Sequence, residues 1–194
     1  GFGNRVFDSE GRYLELDLEP PDAPPLTIGS LYLPKGGNPA DGPAFAAKQQ
    51  RKLRFMASFG QYLTGARRAA RRLGREFLVM GDFNIAHTPD DLANPSANRR
   101  YPGFMPDERE WFGRLLGPRT LVDVVRALHP EVKGPYSWWR RGPQAWQRGT
   151  GWRIDYHLAS PGLAMRAIAA GTDREPSYEQ RMSDHSPVVV DYAW

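Results

Sequence analysis

Two short stretches of this 194-residue chain set a carboxylate beside a group that complements it in hydrolytic chemistry. In Gly81-Asp82-Phe83-Asn84, a carboxylate and a carboxamide stand two residues apart after an apolar run, and in extended geometry both point the same way. Such a pair addresses a water or a phosphoryl oxygen from two sides. Asp82 accepts a proton or binds a cation, and Asn84 donates to a developing negative oxygen. The competing use is an Asx turn that satisfies backbone groups. In Ser183-Asp184-His185-Ser186-Pro187 a hard carboxylate ligand precedes a titratable imidazole, again with a capping turn as the simpler use. Asp155 alternates with apolar Ile154, Tyr156 and Leu158. A carboxylate on the second face of that strand needs a partner, and a histidine suits it. His157 has no supporting motif and reads as an ordinary surface histidine. Tyr32, in Tyr32-Leu33-Pro34-Lys35-Gly36, puts a phenol at a strand end, where an interfacial tyrosine is the simpler use.

These residues need rigid elements to bring them together. Leu14, Leu16 and Leu18 alternate with Glu15 and Asp17, and Leu26, Ile28 and Ser30 alternate again beyond the turn-rich Pro20-Pro21-Asp22-Ala23-Pro24-Pro25, which predicts a hairpin. After a Gly- and Pro-rich loop from Pro34 to Pro43, Leu53, Met56, Phe59 and Leu63 recur at helical spacing and predict a helix ending near Gly74. Its Arg67, Arg68, Arg71, Arg72 and Arg75 read as a solvated face. Phe77-Leu78-Val79-Met80, stopped by Gly81, has the pattern of a buried strand that ends at a loop. Asp107, Glu108 and Glu110 after Pro106 suit a first helical turn, with Trp111, Phe112, Leu115 and Leu116 as its apolar face. Leu121 to Leu128 predicts a second short helix, and Val188-Val189-Val190 a last strand. No repeat, low-complexity block or boundary divides the chain, so one α/β domain over residues 1–194 is expected, with packed sheets and outer helices.

Composition narrows the chemistry. A net charge of +4, from 26 Lys+Arg against 22 Asp+Glu, suits a polyanionic partner. The absence of cysteine removes disulfides and thiolate metal sites, so a metal must sit on oxygen or imidazole. No apolar stretch approaches the roughly 18 residues of a membrane span. The opening Gly1-Phe2-Gly3-Asn4-Arg5 lacks the signal-peptide pattern, so a soluble intracellular protein is expected.

Taken together and in this order, the four segments resemble the exonuclease III branch of the endonuclease/exonuclease/phosphatase superfamily. Its members share a Tyr-x-Pro-x-Gly loop, a Gly-Asp-x-Asn motif, a Trp-Arg-x-Asp-Tyr strand and a terminal Ser-Asp-His-x-Pro. Gly3-Asn4 through Phe7-Asp8, Glu10-Gly11-Arg12, Gly103-Phe104 with Pro106, Glu108-Arg109 and Trp111, and Tyr136 with Trp138-Trp139 are similar to further family blocks. The resemblance spans essentially the whole chain, and Trp139 with Gln144-Ala145-Trp146 looks more like the bacterial enzymes than the eukaryotic ones.

That resemblance implies a four-layer α/β/β/α sandwich of DNase I-like type with the active site at one end of the stacked sheets. It also implies an exodeoxyribonuclease III-type repair nuclease that hydrolyses DNA phosphodiesters at abasic sites and 3′ ends with Mg2+, or alternatively Mn2+. The implied partner is double-stranded DNA with abasic sites or 3′ ends, with no membrane. The protein would be a monomer of the bacterial cytoplasm, on the nucleoid when acting. Carried over, Asp82 activates the attacking water and Asn84 orients it or stabilises the transition state. His185 binds the scissile phosphate, with Asp155 fixing its tautomer and favouring its charged form. Tyr32 hydrogen-bonds the phosphate or assists as a phenolate. Asp82, Asn84, Asp184 and His185 are the implied metal set. Trp138, Trp152 and Ile154 enclose an extruded abasic sugar, and Lys35 reaches a phosphate.

The sequence also departs from the family pattern. An N-terminal strand with an Asn, and a later strand with a metal-binding Glu in a Gln-Glu-x-Lys context, do not occur in it. The expectation is a domain that lacks its first quarter to third, an incomplete metal site and an exposed sheet edge. Lys35 and Gly149 replace residues that relatives often have as small polar or Asn. Two other readings stand beside the first: a superfamily phosphodiesterase acting on a phospholipid or inositol phosphate, and an inactive, DNA-binding-only remnant without the Glu.

Overall fold

The structure is a computed structural model and describes residues 1–194. A short helix α1 (Arg5–Asp8) leads into strands β1 (Tyr13–Leu18) and β2 (Leu26–Tyr32), which pair antiparallel as the predicted hairpin. Helix α2 (Ala44–Arg72) is 29 residues long and starts well before the apolar repeat that announced it. It stops at Leu73, and Gly74 takes φ +69°, the left-handed conformation that ends helices. Strand β3 (Glu76–Asp82) follows and pairs parallel to β2. Helices α3 (Pro95–Asn98) and α4 (Pro106–Leu115) come next, both with proline in the first turn.

The second short helix begins later than the sequence suggested. Leu121 bridges Leu116, and Val122–Asp123 form β4 against the sheet; only then does α5 (Val124–Leu128) start, with the Asp123 side chain accepting from the Arg126 N–H. The Asp123 cap overrides the run of apolar residues. A two-stranded ribbon of β5 (Trp138–Trp139) and β6 (Gly151–Trp152) encloses α6 (Pro143–Gln147). Strand β7 (Asp155–Ala159), helix α7 (Pro161–Ala164), and the antiparallel pair β8 (Ala167–Thr172) and β9 (Val188–Tyr192) complete the chain.

The main sheet runs β1-β2-β3-β7-β4. One face is sealed by α2 and α4. Phe55, Phe59 and Leu63 of α2 and Phe112 of α4 pack on Leu31, Phe77, Val79 and Tyr156 in a 19-residue core. The opposite face packs Leu26, Leu78 and Ala159 against Val124 and Leu163, with Val190 and Tyr192 of β9 at its margin. The β8–β9 pair forms a second, two-stranded sheet at this face.

That second layer leaves part of the main sheet bare. Leu14, Leu16 and Leu18 are 65%, 46% and 40% exposed, because only the Tyr13 face of β1 meets α2. Ile168 and Val189 of the β8–β9 pair are exposed as well. His157, expected on the surface, is half-buried: its Nδ1 has no hydrogen-bond partner, and burial pushes its pKa down. Arg68, Arg71 and Arg72 are exposed, as a solvated face requires, but Arg67 donates to Arg119 O and Arg75, beyond the end of the helix, is half-buried and paired with Glu19. No helix is long and apolar enough to cross a membrane.

Candidate active site

Strand register brings the first three side chains together. Tyr32 lies opposite Asp82 across the β2–β3 pair, and Asp82 lies opposite Asp155 across β3–β7, so a phenol and two carboxylates share one row at the end of the sheet. The ladder runs one residue further, with Leu33 N–H donating to Asp82 O at 2.8 Å and Phe83 N–H to Ile154 O at 2.9 Å.

The chain then turns sharply. Asn84 has φ +49°, a left-handed conformation that asparagine tolerates better than most residues. The extended geometry expected through Asn84 therefore fails, yet the pair stays together. Asp82 Oδ1 accepts from Asn84 N–H at 2.7 Å, and Asp82 Oδ2 accepts from Asn84 Nδ2 at 2.8 Å. Asn84 Nδ2 also donates to Leu33 O at 2.9 Å, which fixes the amide orientation because a carbonyl can only accept. Both Nδ2 protons are thus engaged. Donation from Asn84 to a developing oxyanion, read from the sequence, does not fit this arrangement; the carboxamide offers its Oδ1 as an acceptor instead.

His185 arrives from the loop before β9. Its Nδ1 meets Asp155 Oδ2 at 2.8 Å, the partner that the alternation of β7 called for. Ser137, unremarked in the sequence, donates its hydroxyl to the same oxygen at 2.6 Å and accepts from the Asp155 N–H at 3.1 Å. The isolated bridge between Trp138 and His185, with Trp139 N–H donating to Asp184 O at 3.0 Å, ties the β5–β6 ribbon to this loop. Asp184 Oδ2 accepts from Trp138 Nε1 at 3.2 Å.

Electrostatics follow from this crowding. Burial, and then the charge of Asp155, raise the Asp82 pKa to about 7, against the opposing pull of His185, the Asn84 N–H and Lys52. For His185 burial works against the charged form, but the Asp155 hydrogen bond and the charges of Asp155, Asp82 and Asp184 outweigh it and raise the pKa. Asp184 is held below the usual carboxylate range: its partial burial is outweighed by the Trp138 hydrogen bond, its own backbone, and the charges of His185 and Arg141.

Tyr32, Lys35, Asp82, Asn84, Trp138, Trp152, Ile154, Asp155, Asp184 and His185 all line one cleft of about 1040 Å3. Trp138 and Trp152 meet edge to face at 6.3 Å, and Lys35 Nζ lies 5.9 Å from the Trp138 ring centre. Ile154 closes the floor with Ala86, Leu92 and Phe104. Tyr101, Asn38, Asn94 and Asn98 complete the rim; they carry no motif that marks them in the sequence.

Ligand atoms of Asp82, Asp155 and His185 lie within 4.8 Å of one another. The two carboxylates, with no thiolate in the chain, fit a hard divalent cation, while His185 Nδ1 is taken by Asp155. Asp155 stands in this group where the sequence suggested Asp184, whose carboxylate is turned to Trp138.

The family described as Endonuclease/Exonuclease/phosphatase matches residues 14–185. An exodeoxyribonuclease of Streptococcus pneumoniae is 32% identical over 189 residues, covering 96% of this chain and 60% of that protein. Among solved structures, the 3′ phosphatase NExo from Neisseria, bound to a product DNA hairpin, superposes with a TM-score of 0.81 at 26% identity, over 100% of this chain and 70% of that one. An AP endonuclease from Archaeoglobus fulgidus gives a TM-score of 0.81 at 27% identity, over 99% of this chain and 68% of that one. The chain thus spans about 60% of the length of the curated relative it matches. With a matching stretch that runs from the first strand to the histidine of the site, the chain belongs to the endonuclease/exonuclease/phosphatase family and has its DNase I-like fold.

Proposed function

We propose that this chain carries the catalytic cleft of an exodeoxyribonuclease III-type DNA repair nuclease, which hydrolyses phosphodiesters at abasic sites and 3′ ends. The observation that carries the reading is the convergence of Asp82, Asn84, Asp155, His185 and Tyr32 on a cleft walled by Trp138 and Trp152. Phosphodiester hydrolysis needs a base for water, a cation at the phosphoryl oxygens and stabilisation of the leaving oxygen. Asp82, with its pKa near 7, suits proton acceptance from water at neutral pH. Asn84 Oδ1 orients that water by accepting a hydrogen bond from its second O–H. Asp155 accepts from His185 Nδ1, so a charged His185 presents Nε2–H to a phosphoryl oxygen. Tyr32, at the mouth of the cleft, hydrogen-bonds the phosphate or acts as a phenolate. The Asp82 and Asp155 carboxylates would hold the metal, with Mg2+ the preferred ion and Mn2+ an alternative, leaving the protonated His185 to the phosphate; an ion there would neutralise charge on the phosphate.

DNA as the partner is supported by the basic rim, with Lys35 and Arg140 in the cleft and Arg141 and Arg148 exposed beside it. The tryptophan walls suit a sugar without its base, whose extrusion costs little because no base must unstack. The test is cleavage by the protein as its gene encodes it, with Mg2+ or with EDTA, of a duplex with one abasic site and of an intact duplex. EDTA-sensitive cutting at the abasic site is expected, and Trp152→Ala should reduce it by about 10-fold or more while intact-duplex affinity at fixed salt changes little. No cutting of either duplex, or cutting of inositol phosphates instead, would overturn the reading.

A further inference from the structure

Beneath the cleft lies a charged pair that takes no direct part in the chemistry above. Lys52 of α2 and Glu108 of α4 are both completely buried, with Lys52 Nζ 2.9 Å from Glu108 Oε1. Lys52 Nζ also donates to Asn84 O at 2.9 Å. Glu108 Oε2 accepts from Gly103 N–H at 2.6 Å and from Met105 N–H at 3.1 Å, while Gln49 Nε2 donates to Oε1 at 2.9 Å. A buried ion pair is often no better for stability than an apolar pair of similar volume, so its presence asks for a second reason.

The reason is visible at Asn84. A non-glycine residue at φ +49° persists only where its surroundings over-determine it. The side chain of Asn84 is held by Leu33 O and Asp82, and its carbonyl is held by Lys52. Glu108 carries the same anchorage to the far wall of the cleft. A Cβ at Gly103 would stand 3.1 Å from Asn84 O and 3.2 Å from the Trp152 ring, so that wall and Asn84 already touch. Gly36, next to Lys35, packs equally closely on Gln49 and the Lys52 stem. One buried group therefore meets three cleft loops.

We infer that Lys52 is a positioning residue, which with Glu108 locks the left-handed turn at Asn84 and so sets Asn84 Oδ1 and the Asp82 carboxylate for the attacking water. This rests on the nuclease reading above. Its test is a double-mutant cycle of Lys52→Met and Asn84→Ala in the protein as its gene encodes it, followed by kcat and KM on an abasic duplex with Mg2+, well below each variant's Tm. If Lys52 acts through Asn84, Lys52→Met lowers kcat about 30-fold or more with KM within about 3-fold, yet lowers it little further in the Asn84→Ala background. The same loss in both backgrounds, or unchanged kcat in Lys52→Met, overturns the inference. Lys52→Met leaves Glu108 unpaired, so the cycle is repeated with Lys52→Met and Glu108→Gln together, which removes both charges. Recovery of Tm with persistent loss of kcat supports positioning; recovery of both overturns it. Should neither variant fold, Lys52→Arg replaces them in the cycle and is judged by the same non-additivity. Absence of cleavage by the unmodified protein would instead strike the nuclease reading itself.

Discussion

At Asp82 a carboxylate lies where ionisation is costly, and at His185 an imidazole lies where protonation is favoured. Both groups hold their protons more tightly in the folded protein than the usual 3.8 and 6.5 of free side chains. Their signs agree. The Asp82 contribution to stability is complete below 3.8 and is lost as pH rises through about 7; that of His185 is complete below 6.5 and is lost through its raised folded value. In the metal-free protein, held in chelator, Asp82→Asn should therefore remove a loss of Tm that accompanies the rise in pH from about 6 to about 8, while the depressed His87 and His157 act in the opposite sense equally in both proteins. Thermal unfolding of both proteins across that window checks it; a pH slope unchanged by Asp82→Asn would contradict the assignment of Asp82.

At the scale of elements, the Trp152-to-Tyr156 segment is fixed by Arg153 as well as by its pairing with β3 and β5. Arg153 is almost fully buried, with Nε on Asp91 Oδ1 at 2.8 Å and both terminal nitrogens on Asp123 at 2.9 and 2.7 Å. Arg126 adds a bond to Asp91 at 2.6 Å, so two arginines balance two aspartates. Removing Arg153 leaves both carboxylates under-compensated, and Arg153→Met should cost about 3–5 kcal/mol in denaturant unfolding. Arg153→Lys should recover little of that, because an ammonium cannot span both carboxylates. A loss below about 1 kcal/mol would place the anchorage elsewhere.

These ion pairs mark the limit of what the sequence revealed. Alternation and apolar runs located β1, β2, β3, β7 and β9, because each has a face whose periodicity records burial. Register between them is a long-range property, and it alone sets Tyr32, Asp82 and Asp155 in a row. Lys52 carries a local signal: it stands three residues before Phe55 and four before Met56, on the apolar stripe of α2. A lysine there must be buried or must break the stripe. Ser137 and Arg153 had no such signal, since their roles depend on partners tens of residues away.

For the whole molecule, the exposed leucines of β1 and the two-stranded second sheet record a face that this chain leaves uncovered. The face explains why β1 alternates and yet buries only its Tyr13 side. The cleft lies beside that face, with Asp155 and His185 lining hollows on both sides. The role of Asp82 is tested most directly by single-turnover cleavage of an abasic duplex by Asp82→Asn in the protein as its gene encodes it. The substitution keeps shape and removes the basic oxygen. Turnover should fall by about three orders of magnitude or more while duplex affinity at fixed salt is retained. A loss of about two-fold would contradict the assignment of Asp82 as the base and, with it, the reading of the cleft.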